Sequence, residues 1–426
     1  MTRRADLVAA AIGLGAFAAA AVVGGLRYLA GHPVQASAAP LYAHWLPHAG
    51  PGTPLALGVA ILTWRYGPAL AGRLRWAALH ALAYATAVAW TLSLALIDGW
   101  QRGIAGRLTT RPEYLHEVAG ATDVPAMLRG FTDRILDVRP DSWTTHVAGH
   151  PPGALLVFVG LDRLHLHGGG WAGLVCVLTG ALVAITVPQT LRLLGGDAVA
   201  RAAVPFLALF PGAVWTGVSA DGLFAGVTSA GVMLLAYGGV RRPLGGGLLL
   251  GLGCYLSYGL TLMALPALAV IVLRRDWRAL AAALIAGGAV AVAFTAAGFD
   301  WLTGYHLVTQ RYYQGLAARR PYAYWVWADL ATLVVSAGPA ALAALPRTVE
   351  QARPAAVRCL TLAAAAAILA ADLSGLSKAE VERIWLPFAV WLLAGTALLP
   401  AADRRWWLLA QAAVALLVNH LLLTSW

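Results

Sequence analysis

Apolar runs approaching the ~20 residues needed to cross a bilayer recur along almost the whole chain, separated by arginine-marked turns and three polar islands. Read in order, spans are expected over 7–29, 54–66 and 76–97, the last leading into a long polar loop that begins at Asp98. The segment 154–166 is short and interrupted by Asp162 and Arg163, so it is expected to lie along the interface or re-enter rather than cross. Spans then follow over 171–193, 202–217 and 222–239. The apolar stretch 244–273 has arginine pairs at both ends and a break near Ser257-Tyr258-Gly259, which predicts two short helices meeting at that break. Further single spans are expected over 279–297, 325–344, 360–371, 384–399 and 406–423. The pattern predicts an all-α polytopic membrane bundle of about thirteen helices, in which 1–75 supplies N-terminal helices and 76–426 a core carrying a long loop, 98–153.

Composition agrees with that pattern. Of 426 residues, 60% are hydrophobic and only 12% charged, and the mean hydropathy is +0.71, outside the range of soluble globular chains. The formal net charge of +11 sits mostly on arginines in short turns. There it orients a membrane protein, with the amino terminus on the cytoplasmic side, and does not indicate nucleic-acid binding. Arg3 and Arg4 precede an apolar run with no polar cleavage region, which predicts a retained first span. Cys176, Cys254 and Cys359 lie inside apolar runs without metal or redox spacing and read as packing residues.

Counting arginines puts the three islands on one side, away from the cytoplasm. The first, Arg111 to Gly153, concentrates carboxylates, arginines, histidines and a His-Pro-Pro turn. Glu113 and Glu117 are four apart and share a face if that stretch is helical. Glu113 and Asp98 are the candidates to take a proton from an attacking hydroxyl. His150 opens the His150-Pro151-Pro152 turn, and His146 lies four residues earlier, leaving room for a divalent metal shared with a carboxylate, though the sequence requires no cofactor. Asp221 follows Ser219 at the start of a span, as a helix cap or a ligand-facing charge. The second island carries Arg311, Tyr312, Tyr313, Arg320 and Tyr322; aromatics stack on sugar faces and guanidiniums bind phosphate, although the same residues also suit an interfacial aromatic belt. The third contains Lys378, the only lysine in the chain, and Arg383, suited to neutralising a phosphate leaving group.

At these residues the chain resembles the GT-C glycosyltransferases, integral membrane enzymes that use polyprenyl-phosphate sugars. Glu113-Tyr114 followed by His150-Pro151-Pro152 looks like the acidic and HPP motifs of the protein mannosyltransferase and aminoarabinose transferase branch, and PFLALFPGAVWTGVSADGLFAGV looks like its following pair of helices. Pro112-Glu113 stands where that branch has a paired Asp-Glu, and two spans precede the one leading into the loop, so both Glu113 and Asp98 stay in play as the base. More narrowly, SKAEVERIWLPF and RYYQGLAARRPYAYW are similar to an actinobacterial group that includes a methylthioxylose transferase acting on lipoarabinomannan. The resemblance implies a multi-pass bacterial plasma-membrane enzyme with an extracytoplasmic site. It would move a sugar with inversion from a polyprenyl-phosphate donor to an envelope glycan or glycolipid. Arg311, Lys378 and Arg383 would hold the donor phosphate. Glu117, His146, His150, Asp221, Tyr312, Tyr313, Arg320 and Tyr322 would line the substrate site. The rival expectation is a transporter or lipid flippase working at the broken stretch 244–273; the lack of an internal repeat and the few mid-span ionisable residues weigh against it.

Overall fold

The computed structural model describes residues 3–425 and is nearly all helical. Its one sheet pairs two three-residue strands, Ala43–Trp45 and Leu422–Thr424, antiparallel with Ala43 opposite Thr424. Five helices among the described residues are long and apolar enough to cross a membrane: Arg3–Leu29, Trp76–Asp98, Gly169–Gly195, Trp277–Ala296 and Ala355–Leu373. A sixth is reached if the bent pair Tyr322–Ser336 and Pro339–Glu350 counts as one span. The remaining expected spans fall on helices that are shorter, interrupted or more polar, such as Gly52–Arg73 and Ala220–Ala236.

Small residues set the packing. On Arg3–Leu29 the buried positions are Asp6, Ala10, Ala20 and Gly24, while Leu7, Ile12, Val22 and Leu26 stand exposed. Such an apolar outer face suits a bilayer better than water. The helices Arg241–Leu256 and Trp277–Ala296 pack backbone to backbone: a Cβ added at Gly247 would lie 2.2 Å from the Ala283 carbonyl oxygen. Such close approach is the usual basis of helix association where the surroundings are as apolar as the side chains.

The break expected in 244–273 is present. Arg241–Leu256 ends at Ser257, which is extended (φ −152°, ψ 139°), and a 3₁₀ turn, Tyr258–Met263, leads into Ala264–Arg274. The segment 154–166 forms the helix Pro152–Arg163, whose 12 residues rise only about 18 Å, too short to cross. The span expected over 325–344 is broken by a sharp bend. The chain turns by 107° there, at Gly338 (φ +98°). The cause is local: Gly338 adopts a left-handed conformation that other residues resist, and Pro339 disfavours helical geometry in the residue before it.

The N-terminal helices do not stand apart. Asp6, fully buried, makes a bidentate pair with Arg347 at 2.8 Å through each oxygen, fastening the start of the chain to Pro339–Glu350. The loop after the first helix joins the far terminus through the small sheet and through His48 N–H to the His420 carbonyl, 2.8 Å. At the opposite end of the bundle, Trp76 donates to Asp197 (2.8 Å) and Arg201 donates to the carbonyls of Ala71 and Leu74.

Candidate functional site

Glu113 lies in irregular chain just before a single helical turn, Leu115–Val118, and is 3% exposed. Its neighbour in space comes from 33 positions later: the His146 backbone N–H donates to the Pro112 carbonyl at 2.9 Å, which brings the His146 Nδ1 to 2.9 Å from Glu113 Oε1. Arg383 Nη2 donates to the other ring nitrogen at 3.3 Å. A guanidinium on Nε2 and a carboxylate on Nδ1 select the tautomer with its proton on Nδ1. Tyr114, also buried, stacks on Phe158 at 5.2 Å and packs against the rings of His146 and His150.

Arg383 is the junction. Its Nη1 meets Asp221 Oδ2 at 2.6 Å, and its Nη2 meets Glu380 Oε2 at 2.9 Å. Glu380 reaches on to Arg320 at 2.9 Å, and Arg320 donates to the Lys378 carbonyl at 2.7 Å. Asp221 occupies the first turn of Ala220–Ala236 but faces the guanidinium, and Ser219 does not cap that helix with its side chain. All three islands and the Asp221 turn therefore meet in one largely buried polar chain, with three carboxylates set against two guanidiniums and one imidazole. Burial alone would raise the Glu380 carboxyl, but Arg383 and Arg320 outweigh it and hold it below the usual range. Burial would likewise lower the Arg383 guanidinium, and Asp221, Glu380 and Glu113 reverse that.

The third island is strained into place. Ala379 and Glu380 are consecutive left-handed residues at φ +64° and +65°, a conformation costing on the order of 1 kcal/mol or more per residue. Opposing that strain, the Ala379 N–H donates to Asp329, Lys378 N–H donates to the Tyr312 hydroxyl (2.7 Å), and Tyr313 donates to the Gly375 carbonyl (3.4 Å). Tyr322 donates to the Leu373 carbonyl at 3.3 Å. The Lys378 ammonium is turned inward to the carbonyls of Ala317 (2.8 Å) and Arg320 (3.2 Å), with the Tyr313 ring 4.9 Å away. Burial first, then Arg320, lowers its pKa.

Four residues singled out from the sequence sit elsewhere or serve the frame. Asp98 forms a second cluster with His48 (2.9 Å), Arg102 (3.0 Å) and Arg107 (2.9 Å), and Arg107 also donates to the Thr424 carbonyl in the terminal strand. Arg311 does not join Lys378 and Arg383; it pairs with Asp137 at 2.8 Å, and burial lowers its pKa. Glu113 lies outside the single helical turn that carries Glu117, so the helical condition for a shared face is not met; Glu117 accepts from the Thr144 N–H at 3.0 Å and faces Arg134, whose guanidinium lies 3.3 Å over Trp143. His150 donates through Nδ1 to the His146 carbonyl at 2.7 Å, which positions His146, and its own ring is enclosed beside Phe224.

Burial lowers the His150 pKa to about 4. An unfolded histidine takes up its proton near pH 6.5, so the stability from burying this ring neutral is complete above pH 6.5 and is lost as pH falls towards 4. The loss is on the order of 3 kcal/mol. Thermal melts of the solubilised protein between pH 7 and pH 4 are expected to show this decline, and His150→Phe to start lower but fall less steeply.

Sequence reasoning missed Glu380, Glu382 and Asp329. Glu380 and Glu382 stand in the quoted AEVER run, and their carboxyl groups could have been weighed as partners for Arg383. Glu382 accepts from the Tyr42 N–H at 3.0 Å, and burial pushes it up to about 7. Among the described residues, no group of three or more histidine, cysteine or carboxylate side chains is arranged to hold a metal ion. His146, the proposed ligand, has both ring nitrogens directed at Glu113 and Arg383. Neither a protein-family model nor a curated protein matches this chain.

Proposed function

We propose that the chain is a membrane glycosyltransferase using a polyprenyl-phosphate sugar and an envelope glycan or glycolipid acceptor. The observation that carries this reading is the buried line Glu113–His146–Arg383, continued to Asp221, Glu380 and Arg320, which draws three separate polar islands to one point. Group transfer from a lipid phosphate needs a carboxylate base beside fixed cations in a site shielded from water. In the proposed reaction Glu113 takes the acceptor hydroxyl proton and that oxygen bonds to the anomeric carbon with inversion. The bond from that carbon to the phosphate oxygen breaks, and polyprenyl phosphate leaves with the electron pair. Arg383, with Arg320 and Lys378 behind it, would offset the charge gathering on that phosphate. The tie from Glu113 to His146 would hold the carboxylate in its reactive orientation.

The same reading counts about thirteen crossings by including the short and broken helices. It places the site on the extracytoplasmic face of a bacterial plasma membrane. Supporting it, Arg73, Arg75, Arg192, Arg241, Arg242, Arg274, Arg275, Arg404 and Arg405 fall in turns or towards helix ends, and Arg201, in the second turn of Asp197–Ala208, meets Arg404 beside Gly72. One observation favours the carrier reading: Asp329, in the bent pair, and Asp372 are buried, and both Asp372 oxygens lack a hydrogen-bond partner among the described residues. Purified protein in nanodiscs, given radiolabelled polyprenyl-phosphate sugars and a crude envelope glycan, is expected to label the glycan. If no donor is used, while Asp372→Asn abolishes uptake in whole cells, the carrier reading replaces this one.

A further inference from the structure

At the end of the bundle away from the charge line, a cleft of about 220 Å³ opens between the helices Gly52–Arg73 and Asp197–Ala208 and the start of Arg404–Leu421. Pro68, Gly72, Ala198 and Pro205 make its wall apolar, and Arg201 and Arg404 stand at it. Both arginines are fixed by backbone carbonyls rather than by one another. Arg404 donates Nε to Leu399 (3.0 Å) and Nη2 to Ala397 (3.1 Å), and no carboxylate lies within ion-pair reach of it among the described residues. Arg201 donates Nη1 to Ala71 (2.7 Å) and Leu74 (2.9 Å), while its Nε faces Asp197 at 3.3 Å. Asp197 is already shared with Arg192 (3.1 Å) and with Trp76 (2.8 Å). The Arg201 guanidinium also lies 4.7 Å over the Trp76 ring, but the Arg404 Nη1 and Arg201 Nη2 groups make no hydrogen bond or ion pair among the described residues.

We infer that this cleft binds one anionic glycerophospholipid, its phosphate on Arg404 and Arg201 and an acyl chain along the Pro68–Gly72 and Ala198–Pro205 walls. Two guanidiniums held in advance against one shared carboxylate leave the cleft positively charged, and the apolar wall suits a hydrocarbon chain rather than a free anion. Basic pockets between membrane helices on the cytoplasmic side recognise acidic lipid headgroups in this way. The inference rests on membrane placement and not on the transfer chemistry, so either can fail alone.

Native mass spectrometry of the full-length protein, titrated with phosphatidylglycerol or with phosphatidylcholine of the same chains, tests it. One phosphatidylglycerol is expected to bind at least tenfold more tightly than phosphatidylcholine. Gly72→Leu should weaken that binding about tenfold, because a Cβ at Gly72 meets no atom within 4 Å and the larger side chain can fill the cleft without disturbing the fold. Arg404→Gln should do the same, whereas Arg241→Gln with Arg242→Gln should not. Equal binding of the two lipids, wild-type binding by Gly72→Leu, or saturation of the site by inorganic phosphate alone would each overturn the assignment.

Discussion

Replacing Arg383 by methionine is expected to lower stability by about 3–5 kcal/mol and to abolish the proposed transfer, the largest single-residue effect in the molecule. Arg383 is 5% exposed, and its guanidinium holds Asp221 at 2.6 Å and Glu380 at 2.9 Å. Without it, buried Asp221 loses its counter-charge, partly buried Glu380 keeps only Arg320, and the left-handed pair Ala379-Glu380 loses part of what holds it. Arg383→Lys should recover little, because one ammonium cannot address Asp221, Glu380 and the His146 ring together as a planar fork does. Thermal unfolding in one detergent, wild type beside both variants, reads the effect directly.

The second large effect is expected at Asp98, for a different reason. Its carboxylate, 5% exposed, faces His48, Arg102 and Arg107, and Arg107 is itself 9% exposed. Asp98→Asn leaves a buried arginine without its charge partner, which costs about 3 kcal/mol. It also loosens the joint between the loop at His48 and the strand at Thr424. Any fall in activity should then follow the folded fraction. Lowering the temperature or adding lipid should restore the Asp98→Asn rate in step with its melt, which separates a structural joint from a catalytic base.

The helices were legible where the apolar runs were long and free of breaks. Arg3–Leu29, Trp76–Ala95 and Trp277–Ala296 fall where the runs predict, and Ser257 breaks the long stretch where its polar group interrupts the pattern. The turn at Gly338 was missed because hydropathy carries no record of backbone direction. Gly338-Pro339 did carry the signal, as a glycine able to take positive φ before a proline.

The site was legible as a set of islands but not as a set of pairs. Glu113, His146, Asp221, Arg320 and Arg383 are brought together, and Lys378 lies beside them through Arg320. Charge and residue type alone could not tell that Arg311 would find Asp137, 174 positions away, or that Glu117 would hold the Thr144 backbone. Partner choice among like charges depends on which helix ends meet. Glu380 escaped notice for a related reason: in sequence it is one acid among several, and only the positive φ at Ala379 and Glu380 aims it between two arginines.

One comparison bears most on the proposed chemistry: wild type, Glu113→Gln and Asp98→Asn, purified in nanodiscs and assayed side by side for transfer from radiolabelled polyprenyl-phosphate sugar to envelope glycan, with a melt of each. Glutamine keeps the shape of Glu113 but cannot take a proton. The proposal predicts a folded Glu113→Gln protein slowed by about 10²-fold or more, with Asp98→Asn retaining activity in proportion to its folded fraction. Transfer at the wild-type rate by a folded Glu113→Gln protein would contradict it.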